Sequence, residues 1–339
     1  MKIFITKIFK FFLLLLLIIT LLKIFEFKIG FQLPKNKYNT QFKQNSKWCE
    51  HRGSLIGRDT TQLCYISNRF GLRGNNWDKE EVEIFFVGDS YTKMMNVDQN
   101  NSIEQMFYDT HRIKCFNIGI SGGRLKPLKF ANYLINEHDF SPKYMFIEVV
   151  ERGLQQYSES LSQSSNPIKE IFLSLFSLRL NMNSFLNIIK SKKPPSFPYV
   201  MVNNKKQYFY EFRSPRIIGL RNILKNMLNY QEKMKNRGVI VYYTIIPEPE
   251  TAFKNYLNIK QYDSALNFEK LAKNSNLNLI SLYDKFCENP QKFYLNDDSH
   301  WNLNGIKYYM QKVEEIIFKR PKQLRLDAVS RKTQHYVGT

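Results

Sequence analysis

Four apolar runs of strand length recur along the chain, each closed by a glycine, a proline or a charged pair. They occupy residues 83–87 (EIFFV), 112–118 (RIKCFNI), 143–150 (KYMFIEVV) and 238–246 (GVIVYYTII), with a weaker fifth at 278–282 (NLISL). Apolarity that is continuous rather than alternating predicts strands covered on both faces. Between the runs, residues 102–108, 125–136, 217–235 and 261–272 carry helical spacing of apolar positions. Strand alternating with helix predicts an α/β fold whose parallel sheet is joined by right-handed crossovers. Residues 155–214 break this rhythm with Pro194, Pro195, Pro198 and many Ser and Asn, and read as an insertion, partly helical over 169–190. Such an insertion suits a cap or a membrane-facing element, and Phe172, Phe176 and Phe185 make it aromatic.

The N-terminus bears on the compartment. Residues 11–22 read FFLLLLLIITLL, preceded by Lys2, Lys7 and Lys10 and extended past Lys23 by Ile24 and Phe25. A basic flank before an apolar core is the export pattern, and no small-x-small cleavage site follows. Counted over residues 8–27, the run reaches the roughly 20 residues that a bilayer span needs. The expectation is an uncleaved single-pass anchor over 1–30, a polar linker over 31–63, and a body outside the membrane, periplasmic or at the cell surface. Lys28, Lys35 and Lys37 follow the span too, so flanking charge does not decide orientation. Export would make a Cys49–Cys64 disulfide possible, whereas Cys115 lies in a strand run and reads as a small core residue. Among the four cysteines there is no CxxC and no zinc-like Cys/His spacing.

Composition excludes more than it assigns. A 43% apolar and 24% charged content is incompatible with wholesale disorder, and a mean hydropathy of −0.41 excludes a polytopic membrane protein. The balance of 50 Lys+Arg against 30 Asp+Glu, +20 in all, calls for an anionic neighbour or reflects a lysine-rich composition. The basic residues are scattered, and an exported body would not meet nucleic acid, so no nucleic-acid partner is expected.

In open α/β sheets chemistry sits beyond the carboxyl ends of the strands. The residues there are Gly88-Asp89-Ser90, Asn117 to Gly122, Glu151-Arg152 and, far downstream, Asp297-Asp298-Ser299-His300. A serine becomes nucleophilic only with a base beside it and a carboxylate orienting that base. Ser90 with His300 and Asp298 or Asp297 meets that requirement by residue type. Asn117, Gly119 and Gly122 offer a loop whose N–H groups can approach an oxyanion. Taken singly, each piece has a plainer reading as a turn or a solvated loop; their order and their strand-end positions give the combination its weight.

At these residues the chain resembles the SGNH (GDSL-type) hydrolase superfamily. VGDSYT is similar to its first block, with Ser90 in the nucleophile position. NIGISGG is similar to its second, with Gly122 at the oxyanion-hole glycine, and DDSHWNLNG to its last. Upstream, NRFGLRG looks like the Asn-x-x-Gly-Phe-Arg-Gly lead-in of many exported members. The resemblance runs from about Cys64 to Phe318 with the insertion outside it. It implies a three-layer α/β/α sandwich as a catalytic domain over 64–320, followed by a basic tail over 321–339. The third block departs, because the family's oxyanion-binding Asn is replaced by Glu151-Arg152. That variant is similar to the SGNH-like polysaccharide O-acetyltransferases of the alginate-acetylation type, and it makes Arg152 the substitute donor. Asp-Ser-His-Trp spacing favours Asp298 as the acid, with Asp297 as the alternative.

The resemblance implies a ping-pong acyl transfer at Ser90, without metal or organic cofactor. Its partners would be an acyl-bearing glycan or acyl donor, the membrane, and a membrane acyl-transfer protein. Two rival readings stand beside it: a non-catalytic glycan-binding or assembly protein that keeps the fold, and a lipase-like esterase.

Overall fold

The structure, a computed structural model, describes residues 42–121, 125–158, 197–210, 212, 214–257 and 262–318, together with Leu14. The expected anchor over 1–30, the helical stretch at 169–190, the basic tail over 321–339 and Gly122 lie outside the described residues. Among the described residues no helix is long and apolar enough to cross a membrane. The compact unit that begins at Lys43 is built as follows.

Its first element is a hairpin, β1 (Lys47–Ser54) and β2 (Gly57–Ile66), paired antiparallel with Cys49 opposite Cys64. A disulfide joins those two cysteines. This corrects the linker expected over 31–63, which already holds strand from Lys47 onward. Most of β1 is exposed or half-exposed, so no apolar stripe marks it in the sequence.

The central sheet contains β3 (Val82–Gly88), β4 (Lys114–Gly119), β5 (Tyr144–Val150), β8 (Ile240–Ile246) and β9 (Leu279–Ser281), in the order β4-β3-β5-β8-β9. All four pairings are parallel. β3 and β5 are apolar because both of their faces are covered. On one face Phe86 meets Phe107 of α2 (Ile103–His111) and Tyr309 of α6 (Leu303–Phe318). On the other, Phe85 stacks on Phe116 and Met145 receives the Tyr230 hydroxyl of α4 (Leu220–Lys235). Phe70 ties that second face to Phe130 of α3 (Lys126–Glu137). The parallel α/β fold read from the sequence is the one observed.

Strand order places the site. From β3 the chain crosses to one side to make β4, then returns to make β5 on the other. The connections leaving β3 and β5 therefore diverge and open a crevice at their carboxyl ends. Ser90 follows β3 and Arg152 follows β5, so both stand at that crevice.

Two stretches of the expected insertion belong to the body. Residues Glu151–Ser158 form a 3₁₀ segment with Leu154 and Tyr157 buried. A second hairpin, β6 (Tyr199–Val202) with β7 (Lys205–Tyr208), buries Val202 and Gln207, and Phe209 just beyond it is buried too. It is fastened to the loop before His300, where Tyr208 N–H donates to Asn296 O at 2.8 Å and Gln207 Nε2 to Leu295 O at 2.9 Å.

Candidate active site

Ser90 opens a single helical turn, α1 (Ser90–Lys93), set directly on the end of β3. The Asp89 carboxylate caps it, accepting from Tyr91 N–H at 3.0 Å, as short polar side chains do at helix starts. The turn lies so close to the sheet that two strand-end residues must lack a side chain. A Cβ on Gly88 would overlap the Thr92 hydroxyl, and one on Gly119 would overlap the Lys93 backbone. The glycines that end the first two apolar runs are therefore required by the seating of α1. Met94 takes a left-handed backbone at φ 55° and ends the turn.

His300 comes from the loop before α6, and that loop is pinned to α1. Trp301 is fully buried and donates from Nε1 to Tyr91 O at 3.2 Å, while the Tyr91 hydroxyl donates to Ser299 O. Leu295 N–H donates to His300 O at 3.0 Å, and Tyr294 bridges to Trp301. The ring so held lies with Nε2 2.8 Å from Ser90 Oγ and Nδ1 2.8 Å from Asp298 Oδ1. Burial acts to raise the Asp298 pKa, but the hydrogen bond and charge of His300 prevail and hold it below the usual value.

Asp297 turns the other way. Its carboxylate accepts from Arg52 of β1 at 2.5 Å, and its carbonyl accepts from Leu55 N–H at 2.8 Å. Of the two adjacent carboxylates, Asp298 meets the imidazole and Asp297 anchors the first hairpin.

The expected oxyanion donors divide. The Ser90 N–H heads the first turn of α1. The Asn117 side-chain amide is engaged away from the nucleophile. The residue is 1% exposed, and its amide donates to Thr92 O at 2.8 Å and Glu104 Oε2 at 2.9 Å. Burial acts to lower the Arg152 pKa, but the charge of Glu248 prevails and holds it above the usual value. Arg152 Nη1 donates to Glu248 Oε2 at 2.6 Å, and its guanidinium lies 5.9 Å from the Tyr210 ring centroid. Burial raises the Glu248 carboxyl to about 8 against the pull of Arg152. Glu151, the nearer carboxylate in sequence, is buried and accepts from Glu248 N–H, Thr251 Oγ1 and Ala265 N–H instead.

Several residues that sequence reasoning passed over belong to this assembly: Tyr91, Trp301, Arg52, Glu104, Glu248 and Arg73. Three of them stood inside motifs: Tyr91 in VGDSYT, Trp301 in DDSHWNLNG and Arg73 in the NRFGLRG lead-in. Among the described residues no group of three His, Cys, Asp or Glu could hold a metal ion.

No family model matches this chain, and no curated protein matches it. Solved structures do. A lipolytic protein of the G-D-S-L family from Desulfitobacterium hafniense DCB-2 is 12% identical over 70% of this chain and 99% of its own, with a TM-score of 0.39. An acetyl xylan esterase is 13% identical over 70% of this chain and 100% of its own, also at 0.39. A GDSL-like lipase from Bacteroides thetaiotaomicron VPI-5482 is 15% identical over 73% of this chain and 92% of its own, at 0.36.

Proposed function

We propose that the chain is a serine-dependent enzyme acting on ester bonds, with Ser90 as nucleophile, His300 as base and Asp298 as the orienting acid. The observation that carries this reading is the unbroken hydrogen-bond path Asp298–His300–Ser90, with both links at 2.8 Å. In this reading His300 Nε2 takes the hydroxyl proton as Ser90 Oγ attacks an ester carbonyl. The Asp298 carboxylate fixes the tautomer with the proton on Nδ1 and stabilises the imidazolium that forms. The oxyanion is met by the Ser90 N–H, with Arg152 supplying positive charge from the neighbouring strand end; the family resemblance assigns the second donor to Gly122. Collapse releases the alcohol, protonated by His300, and leaves an acyl-Ser90 intermediate. Water or a sugar hydroxyl, deprotonated by the same histidine, then takes the acyl group.

The finer reading is an O-acyltransferase or O-acetylesterase of an extracytoplasmic polysaccharide, held at the membrane by the N-terminal apolar run. The basic flank before that run supports export, and the Cys49–Cys64 disulfide fits an oxidising compartment. The test has two parts. Purified protein should hydrolyse a short-chain nitrophenyl ester and be labelled at Ser90 by a fluorophosphonate, and Ser90→Ala should lose both while keeping its melting temperature. A periplasm-only reporter fused after Thr339 should be active and sediment with membranes. Turnover by Ser90→Ala would overturn the nucleophile, and a soluble cytoplasmic fusion would overturn the anchor.

A further inference from the structure

The turn that carries Ser90 is too short to hold itself. Within α1 the backbone bonds are Lys93 N–H to Asp89 O at 3.0 Å and Met94 N–H to Ser90 O at 3.1 Å, and just beyond it Val97 N–H donates to Met94 O at 3.3 Å. A one-turn helix leaves its last carbonyls without helical partners. Here side chains from elsewhere take every one. Tyr91 O accepts from Trp301 at 3.2 Å, Thr92 O from Asn117 at 2.8 Å, and Met95 O from the Tyr65 hydroxyl at 2.6 Å. Three further carbonyls at this end are gathered by a single side chain. Arg73 Nη1 donates to Lys93 O at 3.2 Å and to Met94 O, and its Nη2 donates to Val97 O at 3.0 Å.

Arg73 is itself held on all sides. It is 1% exposed, its Nε donates to Gln99 Oε1 at 3.2 Å, and Glu104 Oε1 lies 3.9 Å away. The Tyr65 ring covers its guanidinium at 4.8 Å. Glu104 also accepts from Asn117, so the arginine and the asparagine grip α1 through one shared carboxylate. The lead-in sequence builds the turn that delivers this side chain. Asn68 Oδ1 accepts from Phe70 and Leu72 N–H at 3.0 and 3.1 Å, and Gly71 takes φ 71°. Gly74 takes φ 113°, and a Cβ there would press on Glu104.

We infer that Arg73 is a positioning residue for Ser90. Its planar fork holds the carbonyls at the carboxyl end of the nucleophile's turn and so sets where Oγ meets His300. A guanidinium can span three carbonyls from one rigid plane, while an ammonium is a single point. A cation is also favoured at this end of a helical turn. The inference rests on the proposed role of Ser90.

The test compares full-length wild-type protein with Arg73→Lys and Gln99→Met. The lysine keeps the charge but cannot reach the carbonyls together; the methionine removes the acceptor that orients Nε. Turnover of the nitrophenyl ester is expressed per site titrated with fluorophosphonate, so unfolded molecules drop out. In Arg73→Lys, kcat should fall at least about tenfold with KM within about twofold, and Gln99→Met should show a smaller loss of the same kind. Amide exchange in peptides covering residues 90–97 should quicken in both variants while the rest of the sheet stays protected. Wild-type kcat per titrated site in both variants would overturn the inference, because a merely structural residue lowers the number of sites and not their rate. If wild-type protein neither turns over nor labels, the proposed reaction fails, and the exchange measurement decides alone. Quickening confined to residues 90–97 then supports the clamp, and unchanged exchange overturns it.

Discussion

Asp297 and Asp298 have the same chemistry and adjacent positions, and their surroundings separate them. Asp298 accepts from His300, and Asp297 accepts from Arg52. Asp298→Asn should therefore lower kcat by about 10⁴-fold, the typical effect of losing the carboxylate that holds the tautomer. Asp297→Asn breaks a largely buried ion pair with Arg52, so its cost should fall on stability, and it should leave kcat within a few-fold. Rates for the two variants on one ester check the ranking, and a reversed order would move the acid to Asp297. Arg152 poses a different question, because its partner Glu248 is buried and its carboxyl is raised to about 8. In Arg152→Met that carboxyl can take a proton at pH 6 but must ionise without its cation at pH 9. The variant should lose on the order of 2 kcal/mol at pH 9 and much less at pH 6, read as urea unfolding at both. An equal loss at the two pH values would mean that Glu248 does not titrate with the pair.

At the scale of elements, catalysis in the proposed reaction depends on how closely α1 sits on the sheet. Gly119→Ala puts a methyl group against the Lys93 backbone, and backbone cannot step aside as a flexible side chain can. Overpacking of this kind costs about 1–3 kcal/mol, and here the displaced element carries Ser90. We expect a lower melting temperature together with a loss of kcat per titrated site. A stable, fully active Gly119→Ala would refute the tight seating. The β1–β2 hairpin reaches the same loop from the other side, through Arg52 and Leu55. Its Cys49–Cys64 bridge closes a separation of 15 residues, a loop size worth about 3 kcal/mol by chain entropy. Cys49→Ser with Cys64→Ser should lower stability by up to that amount, measured by denaturant melts against the oxidised protein.

At the scale of the molecule, the sheet buries a carboxyl group beneath the site. Glu148 lies in β5, is 4% exposed, and its Oε2 accepts from the Thr92 hydroxyl at 2.9 Å. Burial raises its pKa from 4.5 to about 8. A carboxyl raised on folding binds its proton more tightly in the native state. Its contribution to stability is whole below about 4.5 and disappears as pH rises through about 8. Over that window this one group should reduce stability by at most about 1.4 kcal/mol per pH unit. Glu148→Gln keeps the shape and removes the titration, so its stability should vary less between pH 5 and 9 than that of wild type. Parallel pH profiles of the two proteins would show that Glu148 does not titrate in this range.

The apolar runs were legible because a strand covered on both faces has no polar side to interrupt it. The run at 83–87 became Val82–Gly88, that at 143–150 became Tyr144–Val150, and even the weak run at 278–282 holds Leu279–Ser281. Alternation with helices was enough to make the sheet parallel, since each crossover needs a helix's length of chain. The sequence alone also singled out Ser90, His300 and the aspartate pair, because only a few residue types can serve as nucleophile, base and acid. Strand order, and with it the crevice between β3 and β5, was decided by the tertiary structure. The resemblance already favoured Asp298 over Asp297, but the partner that occupies Asp297, Arg52, lies 245 residues away in the chain and only folding brings it there. The first hairpin was hidden because it shows water too much of its surface to carry an apolar pattern. Asn117 read only as a loop residue and Arg73 only as one residue of the lead-in, because a side chain's partners are unknown until folding sets them. Both were committed to the carbonyls of α1, for a buried polar group must find its hydrogen bonds wherever the fold places them.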